Sequence, residues 1–589
     1  MTSPTSLPIA LGVPLADGAR YAGLFADANT TLWSGVLRMV EAVVAAAPFL
    51  VVGAITAGLL RGLIGPQRLR QLLGVGRRSG PLRAWLMGIL LPVDSLGALP
   101  VAAEMRRAGV PGGTVLSFVL VAPVLNPISI LYGLSNIVPH TLLFFAAGTF
   151  AVSTGIGLLW NRLIGRRHGE AVAGTLEEEV DHDLDSLDRP VGRPDTRPAG
   201  GVDRLLLAAA TAARGIVGPV ARDLLLALLA VGLLGSMLPH GLLQTGLTRE
   251  NPLAPVLMGL VAIPAYVTPI DVMMHFGNIV RDGYSLGAAF ALIVLGAGAN
   301  VGVAAWVRRD YGLRPLLLFV ALLIGSTLAI GLTADRALVH GRADATDHTH
   351  AFDSFTRLPL VQDNEANAGW VLRRVARQIG RNETSGSAQV AGLIALATIV
   401  AGGVAVRVPA VGRWIDRRTQ PAPVATDPQG TDLTEIQTAA PHGAAGSGLN
   451  RELTPRQLAA AAVLTVAGMA AAGLYVLYPP PGELLDEIGN IRLGTYDGID
   501  AIDPVETDRR IAQWRSQMDK LPTSIRIRGG TVTDDQLAAI EATRHALKTA
   551  EQAVQRAAAD DSPASALRAR MMRRHLEDSH RAMSQQFGR

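Results

Sequence analysis

Asp94 lies inside an otherwise apolar stretch, after Pro92 and Val93 and before Ser95, Leu96 and Gly97. Asp271 lies in a second such stretch, after Tyr266, Val267, Thr268 and Pro269. An ionisable side chain among residues bound for hydrocarbon costs a few kcal/mol unless it faces a cavity or a partner, so each is a candidate for handling an ion or a proton. The bland alternative is a helix cap, because a carboxylate at a break readily accepts backbone N–H groups. Asn126 and Asn300 sit in two further breaks, where an amide serves cation coordination and unwound backbone equally well. The candidate solute pathway is therefore Pro92, Asp94, Ser95, Gly97, Pro100, Asn126, Pro127, Tyr266, Thr268, Asp271 and Asn300.

Four more titratable residues are candidates for ion or proton coupling. Glu41 and Asp223 lie near Arg38 and Arg222 in the first apolar span of each half, where interfacial ion pairing is the plainer reading. Glu104 and His275 lie near the ends of the stretches holding Asp94 and Asp271, where simple solvation is the alternative. A polar segment supplies His340, Asp344, His348, His350 and Asp353, ligand types suited to Zn2+ or Cu2+, but it matches no fixed zinc motif.

The chain that must position these groups has 589 residues, 49% of them hydrophobic and only 17% charged. Soluble domains carry about 25% charged residues, so this deficit points to lipid. Apolar segments of roughly 20 residues, enough to cross about 30 Å of hydrocarbon, recur along the whole length. They run near Trp33–Ile64, Leu82–Met105, Thr114–Ile137, Thr141–Ile164, Ile216–Leu238, Pro252–Ile279, Leu286–Val307, Leu316–Ala334, Ala388–Val406 and Leu458–Leu477. The fold class expected is an all-α polytopic membrane protein. Residues 1–32 lack the basic region and cleavage site of a signal peptide, so the first span is expected to be retained.

The organisation expected is a membrane repeat over 33–166, an acidic linker over 167–203 and a second repeat over 204–335. A His- and Asp-containing loop (336–386), a span (387–408), a linker (409–455) and another span (456–478) follow, before a C-terminal helical domain (479–589). Within that domain, Asp534–Ala559 and Pro563–Phe587 read as a helical hairpin. The halves echo each other: Met87-Gly88, Pro92 and Asn126 are matched by Met258-Gly259, Pro264 and Asn300, with 34 and 36 residues between Pro and Asn. Backbone broken at membrane depth is tolerated only beside protein or a water-filled cavity, and paired breaks in two repeats mark a transporter site.

Charge placement orients the repeats. Arg68, Arg70, Arg77, Arg78 and Arg83 put the loop after the first span in the cytoplasm. If the Leu82–Met105 and Pro252–Ile279 segments are re-entrant rather than crossing, the remaining arginine groups also fall inside, and the halves become inverted repeats with 336–386 and 479–589 outside.

Three runs, Pro92-Val-Asp-Ser-Leu-Gly-Ala-Leu-Pro100, Arg107-Ala-Gly-Val-Pro-Gly-Gly113 and Ala122-Pro-Val-Leu-Asn-Pro127, resemble the predicted-permease family that includes the ArsP arsenical exporters. The resemblance covers roughly residues 33–335 and implies an efflux permease for metalloids or metal ions in a bacterial inner membrane. Where that family often has Cys-Ser-Cys-Gly after the proline, this chain has Asp94-Ser95-Leu96-Gly97. The chain has no cysteine, which removes thiolate capture of arsenic and leaves oxygen ligands suited to Zn2+, Mn2+, Mg2+ or a proton.

The function expected is a secondary permease for a metal ion or another small inorganic ion, with the bilayer as its surroundings and a divalent ion as its conceivable ligand. No phosphate-binding Gly-x-x-x-x-Gly-Lys-Ser/Thr loop occurs, and the net charge of +4 forms no basic stripe for nucleic acid. The alternatives are an intramembrane aspartyl enzyme, with Asp94 and Asp271 sharing a proton, and a membrane sensor or scaffold acting through the C-terminal domain.

Overall fold

The computed structural model describes residues 28–73, 79–137, 139–164, 201–218, 220–239, 241–338, 352, 354–356, 367–381, 386–419, 478–560 and 562–587, with isolated positions between 457 and 477. Among the described residues every element is helical, apart from an isolated bridge between Thr248 and Tyr284. The chain divides into two compact units, residues 1–466 and 467–589. The division falls within the segment expected as the last span, most of which lies outside the described residues.

The first unit opens with α1 (Ala28–Leu59, prolonged by a π-helical turn over Leu60–Ile64), α2 (Pro66–Leu73), α3 (Gly80–Leu90), α4 (Ala98–Arg107), α5 (Gly112–Val121), α6 (Pro127–Asn136) and α7 (Pro139–Leu163). Its second part runs through α8 (Gly201–Val217), α9 (Val220–Met237), α10 (Leu242–Gly246), α11 (Ala254–Ala262), α12 (Pro269–Arg281), α13 (Leu286–Ala291, prolonged by a π-helical turn over Leu292–Gly298), α14 (Val301–Tyr311) and α15 (Leu313–Leu338). It ends with α16 (Ala368–Arg381), α17 (Gly386–Arg407) and α18 (Pro409–Thr419). Among the described residues, α1, α7, α9, α15 and α17 are long and apolar enough to cross a membrane. α13 and α14 make a sixth if that pair, bent by 52°, is one span.

The remaining helices of the two halves are short. α3, α4, α5, α6, α11, α12 and α14 have 11, 10, 10, 10, 9, 13 and 11 residues, well below the roughly 20 that a crossing needs. Together with α13 and its π-helical turn, they meet end to end in four breaks, at 91–97, 122–126, 263–268 and 299–300. Pro127 and Pro269 open α6 and α12, because a proline at the first helical position lacks only an N–H that would be unpaired anyway.

Both halves pack alike: α3 lies against α5 and α5 against α7, as α11 lies against α13 and α13 against α15. Glycines set the spacing. A Cβ on Gly113 would stand 2.0 Å from Gly157 O, and one on Gly287 would stand 2.7 Å from Gly331 O. Each first glycine lies 13 residues before its half's asparagine, Asn126 or Asn300, and 44 before its partner glycine. Small residues at such crossings let backbones touch, which is how helices associate where lipid removes a hydrophobic driving force. α1 packs against α8, α9 and α17, touching α9 at Gly35 beside Gly232 and α17 at Gly392 beside Pro48.

α8 occupies the end of the expected linker and the start of the second repeat, and its small residues, such as Ala208 beneath Gly58, fit it against α1. α16 lies in the expected loop and buries Val371 and Val375 against Leu37 and Val44 of α1.

The second unit is a bundle of α19 (Pro481–Ala501), α20 (Pro504–Ile527), α21 (Asp534–Asp560) and α22 (Pro563–Phe587). The last two are the expected hairpin, and the first two are additional. Leu484, Ile488, Trp514, Met518, Leu547, Val554 and Leu576 fill the core. His580 is 5% exposed, with its ring 5.3 Å from that of Trp514. Burial, reinforced by the Arg492 charge, pushes its pKa from 6.5 down to about 4. The unfolded chain therefore binds the proton first, and stability is full above pH 6.5 and falls as pH drops towards about 4. The shift corresponds to a loss of roughly 3 kcal/mol. Hydrogen-exchange protection factors over α21 and α22 in the full-length chain, corrected for the pH dependence of intrinsic exchange, should fall between pH 6.5 and 4.5, and His580→Phe should flatten that response; an unchanged response in the variant would refute it.

Candidate functional site

The four half-helices that follow the breaks all begin in one buried region; three starts are capped by residues singled out in the sequence, and Asp94 closes the turn that leads into the fourth, α4. Asp94 accepts the Gly97 N–H through Oδ1. Asn126 accepts the Ser129 N–H at 2.9 Å. Thr268 Oγ1 accepts the Asp271 N–H at 3.1 Å, and Asn300 accepts from Gly302 N at 3.1 Å and Val303 N at 3.3 Å. Local chemistry explains these residue types, since Asn126, Thr268 and Asn300 meet orphan donors of a first helical turn and Asp94 meets the N–H of the residue just before one.

Capping leaves several groups over, and these tie the breaks together. Tyr266 donates its hydroxyl to Asp94 Oδ2, joining the first break of one half to the first break of the other. Asn300 donates through Nδ2 to Ser95 Oγ at 2.7 Å, joining the second half's other break to the same loop. Asn126 donates to Val93 O at 3.2 Å and Ala122 O at 3.0 Å, and Val301 N donates to Ile263 O at 3.1 Å. Asp94, Ser95 and Asn126 are fully buried, and Asn300 is 1% exposed. α1 closes over this loop at a contact of backbone on backbone: a Cβ on Gly53 would stand 2.0 Å from Gly97 O, and one on Gly97 would stand 2.5 Å from Phe49 O. Pro100 packs near Gly215 of α8, beyond the linking bonds.

Asp271 does not join Asp94. Its Oδ2 accepts from Thr268 Oγ1 at 2.7 Å, within its own first turn, so the two carboxylates form no proton-sharing pair in this conformation. The partner of Asp94 is Tyr266, two residues after Pro264 as Asp94 is two residues after Pro92. That common offset was available in the sequence, whereas the cross-half glycine contacts carried no signal there beyond glycine spacing.

The coupling candidates lie away from this centre. Glu104 pairs with Arg107 and stands 3.7 Å from Arg61 at the end of α1. Asp223 of α9 is buried against Arg309 of α14. Arg309 also reaches Asp310 at 3.1 Å, and Arg106 approaches Asp310 at 3.9 Å while covering the Tyr311 ring at 4.3 Å. Glu41 pairs with Arg38 at 2.8 Å, and Arg38 donates to Thr356 O at 2.9 Å. His275 meets Ser354 at 3.0 Å and the Phe355 ring at 5.1 Å. His340, Asp344, His348, His350 and Asp353 lie outside the described residues. Among the described residues no group of three or more His, Cys, Asp or Glu side chains could hold a metal ion.

Comparison with known proteins fits this architecture. A family model described as "Predicted permease" (ArsP_1) matches residues 33–335, just over half the chain and the region that holds all four breaks. The UPF0718 protein YcgR of Bacillus subtilis (strain 168) is 27% identical over 89 residues, 15% of this chain and 30% of that relative. The matched stretch thus spans under a third of the relative. No solved structure matches the chain. The family model covers more than half of the chain, including all four breaks and helices long and apolar enough to cross a bilayer: the chain belongs to the predicted-permease family.

Proposed function

We propose that the chain is a secondary permease that exports a small inorganic ion, a divalent metal cation first among the candidates, through the region where the four breaks meet. One observation carries this reading: Asp94, fully buried, spends one carboxylate oxygen on the turn of its own break and the other on Tyr266 of the opposite half. Oδ2 is the oxygen that an entering cation or proton can take over, and doing so releases the bond between the halves. Ser95 Oγ, already linked to Asn300, is the neighbouring hydroxyl that changes partner with it. Solute binding and loosening of the two halves are then one event, which is what alternating access requires.

In this reading the halves are inverted repeats in a bacterial inner membrane and rock about the shared centre. Hard oxygen donors favour Zn2+, Mn2+ or Mg2+ over arsenite, since the chain carries no cysteine. The purified chain in proteoliposomes, with an imposed proton gradient, should move one of Zn2+, Mn2+, Mg2+ or Cu2+ well above protein-free vesicles. Movement of arsenite alone would overturn the cation assignment, and movement of no ion would overturn the permease reading.

A further inference from the structure

We propose that the cleft between α9, α14 and α15 binds the headgroup of an anionic phospholipid. The cleft encloses about 550 Å³ and is lined by Arg222, Asp223, Leu226, Arg308, Arg309 and Leu316, among others. Its charges do not cancel. Asp223 is occupied by Arg309, which leaves Arg222 and Arg308 as surplus cations at the rim. Both are exposed, and neither side chain is held by a hydrogen bond or ion pair among the described residues.

Position says what kind of anion fits. Arg222 lies in the first turn of α9, and Arg308 and Arg309 lie in the last turn of α14, so the guanidiniums gather at one end of the helices. From that end an apolar row continues along α9 through Leu226, Leu229 and Leu233, which are 46%, 50% and 61% exposed. Leu313 and Leu317 of α15, 56% and 59% exposed, continue the other wall. α9 and α15 are both long and apolar enough to cross a bilayer, so exposed leucines on them are surface for hydrocarbon. Cationic groups above a leucine-lined flank match a phosphate above its acyl chains. A freely soluble anion has no use for the leucines, and a zwitterionic lipid brings a cation against the arginines. Basic clefts between membrane helices hold anionic headgroups for this reason.

The test uses the full-length chain, stripped of lipid in detergent and titrated with phosphatidylglycerol or phosphatidylcholine of identical acyl chains, with bound lipid counted by native mass spectrometry. At roughly fivefold per arginine, the wild type should prefer phosphatidylglycerol by about 25-fold. R222Q/R308Q should bring the preference within about twofold, while R222K/R308K should keep most of it. Both rim positions are exposed, so thermal unfolding of the variants should match the wild type. If the glutamine variant fails that check, the wild-type preference and the lysine variant decide. Equal binding of the two lipids, a preference that survives R222Q/R308Q, or complete displacement of phosphatidylglycerol by millimolar inorganic phosphate would overturn the proposal. The last result would mark the cleft as a site for soluble anions.

Discussion

Asp94→Asn is expected to cut ion flux in proteoliposomes by roughly 10- to 150-fold at equal protein incorporation. The range follows from losing one hydrogen bond to a charged group, about 1.5–3 kcal/mol, at tenfold per 1.4 kcal/mol. Asparagine keeps an oxygen for the Gly97 N–H, so the turn leading into α4 stays closed and the fold persists. What disappears is the charge that attracts a cation and the capacity to exchange a proton with Tyr266. Tyr266→Phe makes the complementary case: the carboxylate remains but the bond across the halves is gone, so its effect on flux should be smaller and its effect on stability larger than those of Asp94→Asn. If Asp94 served only as a cap, Asp94→Asn would leave flux within about twofold of wild type.

Gly53→Ala is expected to destabilise the first unit by roughly 1–3 kcal/mol or more, the range for forcing a methyl into a packed interior. The added Cβ would meet Gly97 O at 2.0 Å, Gly97 C at 2.6 Å and Gly97 Cα at 2.8 Å. All three are backbone atoms of the loop that carries Asp94 and Ser95, so relief requires moving α1 or the break itself. Flux should fall along with stability. Gly155→Ala in α7 is the matched control, because a Cβ there meets nothing within 4 Å and alanine favours the helix. A melting temperature for Gly53→Ala at or above that of Gly155→Ala would contradict the packing described here.

The fold was legible where composition changes abruptly. Pro92, Pro264, Asn126 and Asn300 interrupt apolar stretches, and breaks stand at all four places because proline and short polar side chains end or start helices whatever surrounds them. α8 and α16 were harder to read. Their small or arginine-rich sequences look like solvated linker until α1 is present to receive Ala208, Val371 and Val375. The same holds for α19 and α20, whose apolar residues are spaced to meet α21 and α22 and carry little signal alone. At the site, residue types pointed to the breaks, but partner choice is a tertiary fact. Asp271 satisfies its own helix start, and Tyr266 rather than a second carboxylate reaches Asp94. The ion pairs of Asp223 and Glu104 likewise depend on where α14 and α1 end, which no local pattern specifies.

Because the chain has no cysteine, the accessibility of the centre can be read from a single introduced thiol. Ser95→Cys places that thiol at a fully buried position, and Ala289→Cys in α13 is an equally buried control outside the breaks. The decisive measurement is the rate at which a small, membrane-impermeant maleimide labels each variant in proteoliposomes that sustain flux. If the four breaks enclose the solute path, Ser95→Cys should label at least about tenfold faster than Ala289→Cys and slow when the transported ion saturates. Ser95→Cys labelling no faster than the control while flux continues would show that solute crosses elsewhere.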